Sequence, residues 1–371
     1  MFTSWVLAEL ASKWLIYVAM LAVPGGFLVF LLAGRHRLDV GTRKTLLSRY
    51  LIPACLLGIV AVSLFFLIQI GNINQRGVAG MLDREMGALL ASTALGDGLQ
   101  WRLNGFVLAL VAGGLMWITL SVRSSSSRSS AYLRSNDGRP QRKAVIIATV
   151  AAMLASLAFG ISFTVLGHVA NLALPGRIAI VLHLLAISVW GGALLPLLML
   201  LSRALSATAA LPPGAAPDDS TPQGEGASLE AEEASPSSGP LSSPSSGPSS
   251  SAPSSSERAG TVLLLKEYGQ LGWCFLAVLV LSGLFLIWQL LASPGDLFNT
   301  SYGRLMLLKL SLVSALMLLG ALNKYRLVPK LENSESHAAW RALRQSIRVE
   351  TVLVFLVLVM TALFTTVVGP L

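Results

Sequence analysis

His168 and His183 flank the middle of a stretch that reads GHVANLALPGRIAIVLHLLAISVWGGALLP from Gly167 to Pro196. They are two of the four histidines in the chain. Each adjoins a long apolar run, and Pro175 and Gly176 supply a turn between the runs. Two neutral imidazoles carried on adjacent helices near one membrane face can ligate copper, zinc or a haem iron. Ionisable rings in hydrocarbon are rare and mark functional sites by default. The alternative is one interfacial imidazole wetted by water and one bonded to a neighbouring helix. Spacing alone leaves both open.

Other residue types near these rings bear on the chemistry. Trp190 follows His183 by two helical turns on the same face; it walls a pocket or simply packs. Gly191 and Gly192 permit close helix approach. Lys309 lies in an apolar run, and an unrelieved cation at mid-bilayer costs about 2.5–3.5 kcal/mol. Beside Arg304 it can snorkel to the surface, or it repels cations near the histidines or pairs with an anionic ligand. Glu350, near Asn323 and Lys324, reads as half of an interfacial ion pair. His36 and His337 fall in Arg-rich connections and read as solvated. Met81 and Met86 are spaced off a common helical face, so packing is favoured over a thioether pair for Cu(I). Cys55 and Cys274 sit inside apolar runs and read as small core residues.

CxxC, HExxH, GxGxxG and GxxxxGK[ST] do not occur, which argues against a soluble metal-dependent hydrolase and a P-loop motor. Without MxxxM or Cys-Pro-Cys in an apolar run, a metal-pumping ATPase and a soft-ligand copper channel are disfavoured. The chain is not expected to be an enzyme.

The elements that must position these residues are membrane helices. The composition is 54% hydrophobic and 12% charged over 371 residues, which no ordinary soluble domain shows. Apolar runs of about 20 residues recur, enough to cross a hydrocarbon core. They predict an all-α integral membrane protein with about eight transmembrane helices. Approximate limits are Trp14–Leu32, Tyr50–Ile70, Leu103–Val122, Ala144–Gly167, Arg177–Leu201, Tyr268–Leu291, Leu305–Lys324 and Ile347–Gly369. Glu9, Lys13 and the apolar continuation to Leu32 make the first an uncleaved span.

The net charge of +9 belongs to the connections and does not imply nucleic acid. Cations crowd the connections after spans 1, 3 and 7. Those after spans 2, 4 and 6 are poorer, with Arg76, Arg84 and Arg102 offset by Asp83, Glu85 and Asp97. The positive-inside rule then places both termini outside the cytoplasm, on the periplasmic side. In the outer connection from Gly71 to Arg102, LDREMGALLAS predicts a short interfacial helix with Leu82, Leu89 and Leu90 towards lipid. Residues 206–260 are rich in Ser, Pro and Gly and read as a disordered cytoplasmic linker. Its acidic patch from Asp218 to Glu233 reads as spacer. The linker separates a bundle of spans 1–5, residues 1–205, from a second membrane region of spans 6–8, residues 261–371.

Several segments carry a resemblance. They are KWLIYVAMLAVPGGFLVFLL, STALGDGLQWRL, GHVA, VLHLLAISVWGGALLPL, NTSYGRLMLLKLSLV, LNKYRLVPKL and LRQSIRVETVLVFLVLVMTAL. Together they resemble the copper resistance protein D (CopD) family of bacterial inner-membrane proteins. The resemblance implies copper homeostasis, with copper passing from periplasm towards cytoplasm, beside a small periplasmic copper-binding protein of the CopC type. It implies His168 and His183 as metal ligands, with Trp190, Tyr302, Arg304 and Lys309 around them. The acidic residue expected before the span-5 histidine is replaced by Val181-Leu182, and the Arg-Phe-Ser expected at the start of span 6 reads Lys266-Glu267-Tyr268. The main rival is a membrane b-type haem protein using the same two histidines as axial ligands.

Overall fold

The computed structural model describes residues 4–126, 139–166, 172–209, 255–290, 295–333 and 337–366. Among them, eight helices are long and apolar enough to cross a membrane: Ser4–Arg35, Val40–Asn74, Ala94–Val122, Lys143–Val165, Leu174–Leu205, Arg258–Gln289, Gly303–Leu331 and Ala338–Thr366, here spans 1–8. Each corresponds to one predicted span, and most run longer. The predicted ends at Gly167, Leu291 and Gly369 lie outside the described residues. Span 1 begins ahead of its apolar run because Glu9 and Lys13 pair at 2.7 Å one helical turn apart. Lys13 Nζ also donates to the Thr365 carbonyl at 2.9 Å, joining the start of span 1 to the end of span 8.

Span 1 is the axis of the bundle. It packs against spans 2, 4, 5, 6 and 8, and Ile16, Ala19, Val23, Val29 and Ala33 are fully buried. A helix apolar on every side is stable only when neighbours cover it, as here. Its closest partner contact is with span 5. A Cβ built on Gly25 would lie 2.1 Å from the Gly192 carbonyl carbon, and one on Gly192 would lie 1.8 Å from the Leu21 oxygen. The backbones touch, and only glycine permits it.

Span 5 bends at this crossing, where helix Leu174–Gly192 gives way to helix Leu194–Ala209. Pro196 lacks the N–H that would bond the Gly192 carbonyl one turn back. Tyr50 of span 2 supplies the missing donor, its hydroxyl reaching that oxygen at 2.7 Å. The Tyr268 hydroxyl of span 6 reaches the Trp190 carbonyl, also at 2.7 Å. Spans 2 and 7 each contain a π turn, Leu47–Leu51 and Asn323–Leu327. Each is followed two residues on by a proline, Pro53 or Pro329, whose missing N–H loosens the ladder there.

Several local expectations are corrected. Pro175 and Gly176 are not a turn between spans; they lie in the first turn of span 5, where a proline costs no hydrogen bond. Arg102 is not a loop cation. It is 4% exposed within span 3, its Nε donates to Ser162 Oγ of span 4 at 3.2 Å, and its guanidinium stands 4.9 Å over the Phe163 ring. The long stem folds back between spans 3 and 4, and the π face and hydroxyl substitute for water. Cys55 is buried as expected, but Cys274 is exposed on the outside of span 6. His36 is not solvated: Nε2 meets Glu267 Oε2 at 2.6 Å, while Arg35 takes the other carboxylate oxygen at 2.7 Å. His337 is described only by its backbone, as the first residue of the last helix.

The interfacial helix forms over Arg84–Ala91, with Leu82 and Leu89 exposed. Leu90 turns inward and is buried, contrary to the lipid-facing expectation, because the apolar stripe divides between the two sides. Met81 packs beside Gly71 and Trp5. Asp83 caps this helix, accepting from the Glu85 and Met86 amides at 3.1 Å and from Asn74 Nδ2 at 2.8 Å. These bonds hold its carboxyl below the ordinary carboxylate range, the Met86 amide contributing most and the Asn74 side chain next. A lowered folded pKa means the cap is fully effective above the ordinary carboxylate pKa and is lost as pH falls through the lowered value. Asp83→Ala is expected to speed amide hydrogen exchange at Glu85 and Met86 at neutral pH, while wild type matches it only in strong acid.

Helical structure runs into both ends of the predicted 206–260 linker, continuing to Ala209 and resuming at Ser255; residues 210–254 lie outside the described residues. The flanking helices meet the start of span 2 and the connection before it: Arg203 Nη1 donates to Thr45 Oγ1 at 3.1 Å, and a Cβ on Gly260 would lie 3.0 Å from the His36 carbonyl.

Candidate metal centre

His183 sits about 14 Å along span 5 from Leu174, at roughly 1.5 Å per residue. The side chain is partly buried and faces span 6. Its Nδ1 lies 3.1 Å from the Leu279 carbonyl oxygen and 3.1 Å from Ser282 Oγ. A carbonyl can only accept, so Nδ1 carries the proton and the lone pair is at Nε2. The Ser282 hydroxyl is itself turned back to the Val278 carbonyl at 2.5 Å, as a serine inside a helix commonly is. Gly283 makes room for the ring, since a Cβ there would stand 3.2 Å from His183 Cε1. Metal-ligating histidines are tethered in this way, one ring nitrogen to a backbone carbonyl and the other free.

His168, the expected second ligand, lies outside the described residues, as do Gly167 to Asn171 generally. The partly buried Lys309 of span 7 lies within electrostatic reach of His183. Arg304 is exposed near the start of span 7. Of Tyr302 only the backbone is described, in the first turn of helix Ser301–Leu322. That helix is capped by Thr300, whose Oγ1 accepts from the Gly303 amide at 2.9 Å.

Trp190 is 7% exposed and is shared between packing and a cavity. It lies beside Gly272 and Gly320, and its ring lines a space between spans 5, 6, 7 and 8. Glu350 and Asn323 line the same space, and Asn323 Nδ2 donates to Glu350 Oε1 at 2.9 Å. The expected ion pair between Glu350 and Lys324 does not form. The Lys324 ammonium stands 5.2 Å from the Trp273 ring centre and 5.8 Å from that of Tyr325, and Glu350 is buried along span 8 rather than held at its end. The lysine stem reaches the aromatic rings on the outside of the bundle while the short carboxylate stays inside.

Among the described residues no three His, Cys, Asp or Glu side chains cluster as metal ligands. What is present is one oriented imidazole with a free Nε2 lone pair, which suits a transition metal as half of a two-histidine site. Ser282, beside the His183 ring, Tyr268, in the cavity wall, and Glu267, paired with His36 and Arg35, are contacts that patterns did not single out. Ser282 carries one visible signal, a hydroxyl amid apolar residues about one turn past Leu279. Tyr268 and Glu267 appeared only as departures in a segment that otherwise seemed ordinary.

Residues 262–364 match the family model CopD, copper resistance protein D. No curated protein sequence and no solved structure matches the chain. The matched stretch is somewhat more than a quarter of the sequence and corresponds to spans 6–8. It holds Leu279, Ser282, Lys309, Asn323 and Glu350, whereas His168 and His183 precede it. Through that C-terminal region the chain is similar to the copper resistance protein D family, and eight of its described helices are long and apolar enough to cross a membrane.

Proposed function

We propose that the protein carries copper across the bacterial inner membrane, from periplasm towards cytoplasm. In this reading His168 and His183 hold the ion near the outer face, and both termini lie in the periplasm. The single observation that supports it is the tethered His183 ring, whose Nδ1 bond to the Leu279 carbonyl leaves Nε2 free for a cation. The cation-rich connections after spans 1, 3 and 7 support the orientation. The family supports copper as the cargo.

Each neighbouring residue has a part in the proposal. Trp190, about two helical turns further along span 5, bounds the site on the inner side, and Tyr302 and Arg304, in the first turn of helix Ser301–Leu322, are assigned to its outer surroundings. The Lys309 ammonium repels a cation at His183 and shortens its dwell there, which favours passage over storage. Residues 1–205 and 261–371 act as two membrane units joined by the 206–260 linker, and a periplasmic CopC-type protein delivers the ion.

His183→Ala is expected to reduce copper on the purified, copper-loaded chain to background. Ser282→Ala, which removes only a support to the ring, is expected to weaken copper binding about tenfold. Elemental analysis and a copper titration measure both. A Soret band in the wild-type spectrum that disappears in His183→Ala would replace copper by haem b as the ligand of these histidines. Copper retained in His183→Ala would remove His183 from the site.

A further inference from the structure

Further along span 5 from His183, by about 10 Å at roughly 1.5 Å per residue, Trp190 opens onto the cavity between spans 5, 6, 7 and 8. Its volume is about 80 Å³, several times the roughly 10–15 Å³ that one water requires. Most of the wall is apolar, but three oxygen-bearing side chains line it: Glu350, Asn323 and Tyr268. Glu350 is 3% exposed and Asn323 8%. With its Nδ2 given to Glu350, Asn323 is left with Oδ1 buried and without a hydrogen-bond partner. Native proteins seldom leave such an acceptor unused, and it calls for an absent donor or cation.

The electrostatics point the same way. The Glu350 carboxylate accepts from a neutral amide and takes part in none of the ion pairs Lys13–Glu9, Arg35–Glu267 and His36–Glu267. Lys324 of span 7 lines the cavity as well, but its ammonium is engaged with Trp273 and Tyr325. Span 6 contributes Tyr268, whose hydroxyl proton is committed to the Trp190 carbonyl, leaving its oxygen lone pairs as acceptors. Among the lining residues, span 5 adds no charged group. The π turn Asn323–Leu327 holds Asn323 where a plain helix would set a different register.

We propose that this cavity binds a hard monovalent cation of the sodium class, through the Glu350 carboxylate and the Asn323 amide oxygen. Oxygen donors select hard cations and suit Cu(I) poorly. One buried negative charge matches one positive charge, and the Trp190 and Trp273 faces favour a cation further. The site shares no ligand with His183, so it stands or falls separately from copper as cargo.

The test is equilibrium binding of radiolabelled sodium, and of rubidium as a potassium analogue, to the full-length chain in detergent and copper-free choline buffer. Saturable binding of either ion, displaced by its unlabelled form and not by choline, is the expected result. Glu350→Gln is expected to abolish it and Asn323→Ala to weaken it about tenfold or more, a change of roughly 1.4 kcal/mol. Gly320→Leu fills the cavity without altering charge, since a Cβ there already lies 3.5 Å from Trp190 and 3.6 Å from Glu350 Oε1; it is expected to abolish binding too. Absence of saturable binding in wild type overturns the proposal. So does binding that survives in Glu350→Gln, or, should that variant not fold, binding unchanged in both Asn323→Ala and Gly320→Leu.

Discussion

Gly192→Val is expected to leave almost no folded, monodisperse protein in detergent extracts, while Gly114→Ala extracts like wild type. The difference is one of neighbours. A Cβ on Gly192 would stand 1.8 Å from the Leu21 carbonyl oxygen and 2.7 Å from its carbon, whereas one on Gly114 meets nothing within 4 Å. The clashing atoms belong to backbone, so no rotamer change relieves them, and spans 1 and 5 must separate. Overpacking of ordinary core side chains costs about 1–3 kcal/mol; forcing apart two helices in backbone contact also strips the packing on either side. Span 1 touches five other spans, so the damage is not confined to one pair. At Gly114 the added methyl instead gains about 0.5–1 kcal/mol of helix preference. Size-exclusion elution of fluorescently tagged variants reads both outcomes. A normal elution profile for Gly192→Val would show that the crossing is looser than the geometry requires.

Tyr50→Phe is expected to lower stability by about 1–3 kcal/mol, the usual cost of stranding a buried polar group. The Gly192 carbonyl has lost its helical donor to Pro196 and depends on the Tyr50 hydroxyl at 2.7 Å. Removing that hydroxyl changes little in volume, so packing is preserved and the hydrogen bond is what is tested. Pro196→Ala restores an N–H at the position one turn after Gly192. In the Tyr50→Phe background it is therefore expected to recover most of the loss, although alone it brings little. Thermal unfolding of the four proteins forms a double-mutant cycle. Additive effects would mean that the tyrosine and the proline act on different groups. Tyr268→Phe should move stability in the same direction through the Trp190 carbonyl.

These contacts put the tethered His183 ring and the tightest helix crossing of the bundle in one segment. The WGG run after His183 carries the glycine that meets span 1, the carbonyls that anchor Tyr50 and Tyr268, and the tryptophan that lines the cavity. A change in the bend of span 5 would move His183 and the cavity wall together. The imidazole and the Glu350 cavity thus lie on one mechanical element, about two helical turns apart.

Apolar length by itself determined the eight helices among the described residues that are fit to cross a membrane, because each backbone group in hydrocarbon must be satisfied within its own helix. That constraint is local, and hydropathy records it. The same holds for the Asp83 cap and the short helix after it, where donor and acceptor lie within three residues. The likeness to the copper resistance protein D family was legible too, in the segments of spans 6–8. Which helix pairs with which was not, since any apolar face satisfies any other in lipid. Only the tertiary structure decided that VPGG of span 1 meets WGG of span 5, that Glu267 binds His36 and Arg35, and that Arg102 turns inward to Ser162. It also decided that Glu350 faces Asn323 and not Lys324, and that His183 leans on Leu279. Most of these pairs are separated by tens to hundreds of residues, and their partners are selected by shape and by the need to satisfy single polar atoms, which no spacing along one helix records.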